Sequence, residues 1–403
     1  MDLRIALFTF YYPPDLSAGS FRALSLVESL SRKLTTNDQI HVITTYPNRY
    51  SNFHTQIEEI EEIEAKGIIT IHRIYTPKHN GSMLSQIYSY FFYAISAHKL
   101  NRKLNPDFLL VTTGRLMSSI LTLIFARMIR RDFFVDMRDI FSESISDLLA
   151  KKSKLLGWIT KYSFLAIEKQ IFKNALSVNM VSEGFSEYFQ ENGIDTSKWT
   201  FFTNGVDNEF IGLASSERAS KKKIKTILYA GNIGSGQGLE TVIPGAAKLL
   251  GSDYQFLIIG DGTSKSLLKN KIKIEGVDNI KILRPIKRLD LIDYYLNADI
   301  FFLHLNDFPA FRRVIPSKIF EYAAFGKPIV AGLNGYSEQF IREHIPYAIL
   351  FDSCDSLAAS SSIKKASNLA ISKTVTNNFV NMFSRISIMD KMADHLIDVM
   401  KKN

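Results

Sequence analysis

The sequence predicts an α/β protein with two doubly wound parallel sheets, each covered by helices. Short runs of β-branched and other apolar residues alternate with helix-length segments along all 403 residues, which is the pattern of parallel strands joined by helical crossovers. A polar turn cluster near residue 204 interrupts this alternation and divides the chain into two halves. The length also suits two or three domains of about 150 residues each.

The apolar runs place the strands of each half. The first half has predicted strands near 3–10, 39–45, 68–74, 107–113, 132–136, 175–181 and 199–203. The second half has predicted strands near 224–230, 254–260, 279–284, 299–304, 328–331 and 347–350. Because doubly wound sheets bind their ligands at the carboxyl ends of the strands, we expect the functional residues in the loops that follow them.

The domain boundary lies at the turn cluster Asn204-Gly205-Val206-Asp207, which precedes a polar and basic segment, 214–223, with no apolar pattern. We therefore expect an N-terminal domain over 1–203 and a C-terminal domain over 204–384. Residues 378–403, after the last sheet strand, are predicted to be helical.

Composition excludes several classes of protein. Hydrophobic residues make up 46% of the chain and charged residues 22%, so a large core is expected and disorder is not. A single cysteine, Cys354, excludes an intramolecular disulfide and a multi-cysteine metal site, and it suits a reducing, cytoplasmic compartment. The chain start lacks the pattern of a signal peptide. The longest charge-free stretch, between Lys78 and Lys99, is too polar to span a membrane.

The formal net charge of +9 is concentrated in one region, since residues 99–173 contain fourteen Lys and Arg against seven Asp and Glu. No zinc-finger spacing, RNA-recognition aromatics or basic region with heptads accompanies it, so no nucleic-acid partner is expected. We prefer a basic face toward an anionic membrane, with an ordinary solvated surface as the alternative. The apolar segment 84–98 is open to two interpretations, an interfacial helix or a buried helix of the sheet.

The most specific motif is the run from Pro316 to Pro328, which predicts a short helix with proline at its start and Gly326 at its end. The first-turn N–H groups, which include those of Ser317, Lys318 and Ile319, make an anion site suited to a diphosphate. Glu321, one turn in, is placed to accept both hydroxyls of a ribose. The alternative is a capped surface helix with a solvated glutamate.

Glycine-dense loops follow two other strands of the second half. Such loops let backbone amides approach a phosphate closely, although any tight turn between a strand and a helix uses them. The candidate substrate-binding residues of these loops are Gly231, Asn232, Gly234, Gln237, Gly260, Asp261 and Gly262.

Two loops of the first half also follow predicted strands. Gly19 and Ser20 are placed to approach a phosphate or an acceptor, and Arg22 to hold an anion; an ordinary helix start is the alternative. The charges of Asp136, Arg138 and Asp139 are costly unless paired or used, so they form an internal ion-pair cluster or orient the acceptor hydroxyl.

Six segments resemble the family 4 retaining glycosyltransferases, and within them the bacterial group that builds O-antigen and capsule polysaccharides. They span nearly the whole chain in the family's order and read YYPPDLSAGSFRA, FVDMRDIFSESI, TNGVD, YAGNIGSGQGLETVI, IIGDGTSKSLL and VIPSKIFEYAAFGKPIVAG. The resemblance implies the GT-B fold, in which two Rossmann-like domains face each other across a cleft and a C-terminal helix, about 385–403, crosses back to the N-terminal domain. The N-terminal domain would bind the acceptor and the C-terminal domain the nucleotide sugar.

The resemblance also implies a reaction. A sugar would move from a nucleotide-sugar donor, expected to be UDP-linked, to a polyprenyl-diphosphate-linked saccharide, with retention and without a metal ion or cofactor. Glu321 resembles the second glutamate of the family's Glu-x7-Glu motif, and Ile286 lies where backbone groups read uracil. Asp139 would act in catalysis beside the acceptor.

Three positions depart from the family's pattern. Arg313, preceded by Arg312, stands where the first glutamate is expected, and Asn232 and Gln237 stand where an arginine and a lysine usually bind phosphate. We therefore expect Arg312 or Arg313, with Lys318, to supply the cationic charge. A GT-B epimerase of sugar nucleotides and a non-catalytic nucleotide-sugar-binding subunit are the alternatives.

Overall fold

The computed structural model of the chain describes residues 2–15, 17–47, 58–64, 68–77, 83–150, 153–213 and 223–402. The chain divides into one unit of Met1–Thr203 with Ile386–Asn403 and a second unit of Asn204–Arg385. Except for Lys223, the polar segment 214–223 lies outside the described residues.

The first unit is built on a mainly parallel sheet. Its elements before the second unit are β1 (Arg4–Phe8), α1 (Ala18–Ser31), β2 (Gln39–Thr45), β3 (Ile60–Glu64), β4 (Ile68–Ile74), α2 (Met83–Leu104), β5 (Phe108–Thr113), α3 (Leu116–Ile129), β6 (Asp132–Met137), α4 (Phe141–Ala150), α5 (Lys154–Asn174), β7 (Ser177–Met180) and α6 (Gly184–Glu191). The strand order is β3-β4-β2-β1-β5-β6-β7. Only β3 runs antiparallel among these pairings.

The second unit has a six-stranded parallel sheet. Its elements are β8 (Lys225–Ala230), α7 (Leu239–Leu250), β9 (Tyr254–Ile259), α8 (Lys265–Glu275), β10 (Ile280–Leu283), α9 (Arg288–Asn297), β11 (Ile300–His304), α10 (Lys318–Ala324), β12 (Ile329–Gly332), α11 (Tyr336–His344), β13 (Ala348–Phe351), α12 (Ser356–Ala366) and α13 (Lys373–Met382). The strand order is β10-β9-β8-β11-β12-β13. Phe256, Phe302 and Val330 lie in its fully buried core.

The strand orders place the ligand-binding edge of each unit. The chain runs outward from β8 to β10 on one side, then returns to place β11 on the other side of β8. A doubly wound sheet opens a crevice at such a switch point. The corresponding point of the first unit lies between β1 and β5, so the loops after these four strands are where a ligand is expected.

The helix α14 (Arg385–Lys401) closes the chain and packs on the first unit. Lys33 and Arg32, at the end of α1, contact Asp394 and Asp390 of α14 at 2.6 Å each. The predicted return of the C-terminal helix to the N-terminal part of the chain is thereby confirmed. The predicted helical segment 378–403 consists of two helices, because α13 ends at Met382.

Two predicted details of the sheets were wrong. Residues 199–203 form a single bridge, Thr200 to Asn179, instead of a strand. The reason is that the Phe202 N–H donates to the side-chain Oδ1 of Asn179, at 2.7 Å, and so leaves the ladder. The strand β3 was not predicted, since its sequence, IEEIE, is charged and lies at a sheet edge.

Within the described ranges, none of the helices combines the length and the apolar character that crossing a bilayer requires.

Candidate active site

Two glycine loops stack on each other beside the switch point of the second unit. The N–H of Gly231 donates to Ile259, and the N–H of Ile233 donates to Asp261, both at 2.9 Å. A Cβ at Gly260 would lie 1.9 Å from the carbonyl oxygen of Gly231. Gly262, at φ +156°, leaves only 2.4 Å between such a Cβ and the oxygen of Ile233. Glycine is therefore required here for the contact between the loops themselves, in addition to any approach of a phosphate.

Asn232 and Gln237, where the resemblance implies an arginine and a lysine, are hydrogen-bonded to each other. The Asn232 Nδ2 donates to the Gln237 Oε1 at 2.8 Å, and the Gly234 N–H donates to the same oxygen at 3.2 Å. Both side chains thus hold the shape of the loop. They bring no positive charge to it, in agreement with their residue type.

A buried histidine holds the glycine-rich loop in place by a hydrogen bond to its backbone, a role that the sequence did not indicate. His304, at the end of β11, is fully buried. Its Nε2 accepts from the N–H of Cys354 at 2.8 Å, so its Nδ1 carries the proton and donates to the Gln237 carbonyl at 2.6 Å. Burial lowers the pKa of His304 to about 4, which keeps the ring neutral at pH 7. A strand-terminal histidine gives no sequence signal for such a role.

Asn306 and Phe311 complete the walls of this loop. The Asn306 N–H donates to Gly236 at 2.8 Å, and its Nδ2 donates to Ser235 at 3.0 Å. A Cβ at Gly236 would lie 2.6 Å from the Phe311 ring, so the ring sits directly over this glycine.

The two adjacent arginines already have partners. Arg312 forms a bidentate pair with Asp307, at 2.9 and 3.0 Å, on the exposed surface. Arg313 donates to the Pro309 carbonyl at 3.4 Å. Asp307 neutralises Arg312 locally, so the expected relocation of phosphate-binding charge to this arginine finds no support in the geometry.

Glu321 is the centre of a buried polar network. Its Oε2 accepts from Lys318 Nζ and from the Tyr295 hydroxyl, both at 2.7 Å, while Arg288 lies 3.8 Å from Oε1. Burial alone would raise the pKa of Glu321, but Lys318 and Arg288 outweigh it and hold the pKa below its usual range. The side chain is buried, whereas a solvated surface glutamate would be exposed.

The start of α10 keeps part of the predicted anion site. The Ile319 N–H donates to the Pro316 carbonyl at 3.0 Å, so this predicted donor is used inside the turn. The Ile319 side chain is fully buried. Of the three predicted amides, those of Ser317 and Lys318 remain the candidates for a phosphate.

Asp207 lies in the turn cluster that begins the second unit. It forms ion pairs with two arginines that the sequence did not indicate as functional. Both Arg288, at the start of α9, and Arg385 pair with its carboxylate. Arg288 also contacts Glu209 at 2.5 Å. This chain of ion pairs connects the turn motif to Glu321 and explains why the turn carries an aspartate.

Lys265 lies in the segment IIGDGTSKSLL but was not predicted to be a site residue. Its Nζ donates to the Gly260 carbonyl at 3.2 Å and lies 3.5 Å from the Asp261 carboxylate, whose Oδ1 accepts from the Gly262 N–H. Lys265 therefore places an ammonium group on the loop that stacks on 231–233, at a longer distance from its acidic neighbour Asp261 than Arg312 lies from Asp307. Ile286, in the loop after β10, is half-buried.

In the first unit, Arg22 and Asp136 form a fully buried ion pair, with contacts at 2.7 and 2.8 Å. The Arg22 guanidinium also donates to the carbonyls of Phe202 and Thr203. Burial alone would raise the pKa of Asp136, but Arg22 holds it below its usual range. We predicted that these two residues contact substrate, but the structure gives them a structural role. Their polar atoms form hydrogen bonds and ion pairs inside the unit. Of the two alternatives for Asp136, an internal ion pair and an acceptor contact, the structure shows the first.

Gly19 makes room for Arg138. A Cβ at Gly19 would lie 1.8 Å from Arg138 Nη1, so the guanidinium covers the face that was predicted to approach a phosphate. The neighbouring Ser20 is also fully buried, and its N–H donates to the Ser17 hydroxyl that caps α1. Neither residue contributes an exposed polar group to a substrate site.

Asp139 lies in an environment that raises its basicity. It is half-buried at the carboxyl end of β6, where its Oδ2 lies 3.5 Å from the position that a Cβ at Gly114 would take. Burial raises the pKa of Asp139 to about 6, and Arg138 opposes this. At pH 7 the group is mainly ionised, but its basicity is well above that of a solvated aspartate.

Arg115, after β5, lies at the same edge. Its guanidinium is 4.4 Å from the ring centroid of Phe10 and 5.0 Å from that of Tyr11, and it donates to the Tyr11 hydroxyl at 2.5 Å. The edge of the first sheet therefore presents two arginines and an aspartate. Among the described residues, no three His, Cys, Asp or Glu side chains come together as metal ligands would.

The sequence was compared with protein families and with known proteins. Residues 213–402 match the family "Glycosyl transferases group 1". The chain is 24% identical over 359 residues to WcaI of Escherichia coli (strain K12), a glycosyl transferase assigned to colanic acid biosynthesis, and the match covers 83% of this chain and 84% of that protein.

Solved structures of low sequence identity share the whole fold. Sucrose-phosphate synthase from Thermosynechococcus elongatus superposes with a TM-score of 0.76 at 15% identity over 100% of both chains. Anabaena HepE in complex with UDP-glucose superposes with a TM-score of 0.66 at 13% identity, over 98% of this chain and 99% of that one. By the family model that they match, residues 213–402 belong to the group 1 glycosyltransferases, and the whole chain has the GT-B fold that these solved structures share.

Proposed function

We propose that this chain transfers a sugar, with retention, from a UDP-linked donor to a polyprenyl-diphosphate-linked saccharide during synthesis of a cell-surface polysaccharide such as O-antigen or capsule. The observation that carries the proposal is the second unit's set of candidate donor-binding groups: two stacked glycine loops with Lys265 beside them, and the buried Glu321 network of α10. The similarity to WcaI supports the polysaccharide pathway, and the UDP-glucose complex of HepE supports the donor.

The donor would bind through the second unit. Its diphosphate would lie against loops 231–238 and 260–262, where Lys265 supplies charge, and against the N–H groups of Ser317 and Lys318. Glu321 would accept the ribose hydroxyls, and the Lys318 ammonium that now pairs with it would then turn toward the diphosphate. Protein cations would thus stabilise the departing nucleotide in place of a metal ion.

The acceptor would bind through the first unit. Asp139 has the basicity to take a proton from an acceptor hydroxyl, because its pKa of about 6 is close to the working pH. Arg138 and Arg115 at the same edge would hold the acceptor's diphosphate, since guanidinium groups bind phosphate in two-point fashion.

A lipid-linked acceptor would bring the chain to the cytoplasmic surface of an anionic membrane. The basic surplus of residues 99–173 supports this, and the fold increases it at the surface. Three of the seven acids of this region, Asp136, Glu143 and Glu168, are buried, so they do not offset the exposed lysines and arginines. Such a surface attracts anionic lipid over about a Debye length.

The test is a panel of nucleotide sugars offered to the purified chain with and without a polyprenyl-diphosphate saccharide, followed by product analysis. Transfer from a UDP-sugar with retained anomeric configuration is the expected result. Conversion of one nucleotide sugar into its epimer without acceptor would make the chain an epimerase. Binding of every donor without hydrolysis or transfer would make it a binding subunit, and either result would reject the proposal.

A further inference from the structure

The first two turns of α5 present an apolar stripe to solvent. Leu155, Trp158, Ile159 and Tyr162 are 67, 60, 47 and 51% exposed. They follow the i, i+3, i+4, i+7 spacing that places residues on one helix face. In a surface helix such a stripe normally faces the core, but here it forms the outer face.

Packing on the opposite face holds this orientation. Gly157 is buried, and a Cβ there would lie 2.6 Å from the Ala150 Cβ, so α5 passes close to the end of α4. Glu168, fully buried further along α5, accepts from the N–H groups of Phe141 and Ser142 at the start of α4. The hairpin is thus fastened at two places, and α5 cannot rotate its stripe inward without breaking both.

The neighbouring helices extend the same surface. On α2 the exposed residues are apolar in the first half, with Tyr88, Phe91 and Ile95, and basic in the second, with Lys99 and Lys103. α2 packs on α3, and α3 packs on α5. The sequences of α2 and α3 contain no Asp or Glu, and the single acid of α5 is the buried Glu168.

The stripe lies toward the ligand-binding edge of the first sheet. α3 and α5 lead into the adjacent parallel strands β6 and β7, and Arg127 contacts Asn174 near their C-terminal ends at 3.3 Å. α5 has 21 residues and α3 has 14, so the first two turns of α5 extend past α3 by about 10 Å at 1.5 Å per residue. This extension points to the edge that carries Arg138 and Asp139.

We propose that the first two turns of α5, together with the outer face of α2, insert into the boundary between headgroups and acyl chains of an anionic phospholipid bilayer. Aromatic and aliphatic side chains at this depth, flanked by cations at headgroup level, are the composition of a helix that lies in a membrane interface. A second copy of the chain fits less well, because its like-charged lysines and arginines would face these. The inference builds on the proposed function, in which the acceptor is lipid-linked, and adds the residues that enter the lipid.

Tryptophan fluorescence tests the insertion directly, because the chain has only two tryptophans. Trp158 is exposed, whereas Trp199 packs on Phe172 and Phe189 with ring centroids 4.8 and 5.4 Å apart. With vesicles of phosphatidylglycerol and phosphatidylcholine in equal parts, emission should shift to the blue and be quenched by lipids that carry a quencher in the upper acyl chain. Trp199→Phe should keep this response and Trp158→Phe should lose it.

A matched pair of substitutions tests the energetics. Ile159→Glu places a charge in the stripe, and Ile274→Glu does the same at a 75% exposed position of α8 in the second unit. We expect Ile159→Glu to lower partition into these vesicles at least tenfold and Ile274→Glu to leave it unchanged. Equal binding of the two variants, or Trp158 emission that ignores vesicles at low salt, overturns the proposal. So does a concentration-dependent dimer that Ile159→Glu dissolves while vesicles have no effect.

UDP titration of the same variants without vesicles separates this inference from the proposed function. UDP binding with no insertion of Trp158 rejects the membrane surface and leaves the transferase proposal standing. Insertion of Trp158 in a chain that binds no nucleotide and transfers no sugar rejects the transferase proposal and leaves the membrane surface standing.

Discussion

Lys318 and Glu321 lie one turn apart on the same short helix, and the Lys318 ammonium contacts the Glu321 carboxylate at 2.7 Å. The pair is linked through Arg288 to Asp207, a residue more than a hundred positions earlier in the sequence. The glutamate that we propose to bind the ribose therefore also holds together the acidic and basic side chains around α10. Under this proposal, donor binding and stability depend on the same carboxylate.

Glu321→Ala should accordingly destabilise the chain, in contrast to what an exposed turn position would imply. Removing one partner of a buried pair leaves Lys318 without its carboxylate, which costs roughly 3–5 kcal/mol. Arg288 keeps its contacts with Asp207 and Glu209. Glu321→Gln keeps the shape and the hydrogen-bond acceptor, so it should lose less stability yet still weaken UDP binding relative to uracil binding. Urea unfolding and nucleotide titration measure the two effects. An alanine variant as stable as the parent chain would contradict the ion-pair network.

Lys265→Gln should weaken binding of UDP about tenfold, or ~1.4 kcal/mol, and leave uridine binding unchanged, because only the diphosphate needs its charge. Lys269→Gln, on the exposed side of the same helix α8, is the control for overall charge. Arg312→Gln should behave like this control, since Asp307 already neutralises Arg312. The assignment fails if Lys265→Gln and Lys269→Gln bind UDP equally well.

Gly19→Ala should lower turnover at least tenfold by displacing Arg138, because the new methyl group and the guanidinium cannot share the space. A double-mutant cycle decides whether this is its only effect. In an Arg138→Ala background the space is empty, so Gly19→Ala should then cost little. An equal loss in both backgrounds would show that Gly19 acts by other means, such as a direct approach to substrate.

Sequence patterns were sufficient for the parallel strands, because buried apolar runs and helix-length spacings are local signals. The return of the last helix to the first unit was instead implied by the resemblance to the family. These patterns were also sufficient to identify Glu321 and the glycine loops as candidate site residues. The pairing of these residues was not predictable, since Lys265 reaches Gly260 and His304 reaches Gln237 only after the strands have been set side by side.

Buried charge is the other feature that the sequence hides. Arg22 and Asp136 were predicted to be site residues because each lies near a loop that follows a predicted strand. In the structure they form an ion pair with each other, although they are 114 positions apart in the sequence. The glycine pattern is ambiguous for the same reason. Gly19 and Gly260 were assigned to a phosphate, whereas an arginine and a second glycine loop occupy the space beside them.

Glu168 gives the first unit a pH dependence that can be checked independently of activity. Burial raises its pKa to about 7, although it accepts hydrogen bonds from Ser142 and Phe141. In the unfolded chain the carboxyl group titrates near 4.5. Between these two values the folded state binds the proton and the unfolded state does not, so the free energy of unfolding falls as pH rises from about 4.5 through 7.

Glu168→Gln removes this titration while it keeps an acceptor for the two N–H groups at the start of α4. The parent chain should lose roughly 1–3 kcal/mol relative to this variant between about pH 5 and pH 8. Urea unfolding at the two pH values measures the difference, with Glu187→Gln on the exposed face of α6 as the control that leaves the slope unchanged. Because Glu168 fastens α5 to α4, hydrogen exchange at Phe141 and Ser142 should also be faster at the higher pH, after correction for the intrinsic rate, in the parent chain only. If the parent chain and the Glu168→Gln variant show the same pH dependence, the proton is not held at this carboxylate.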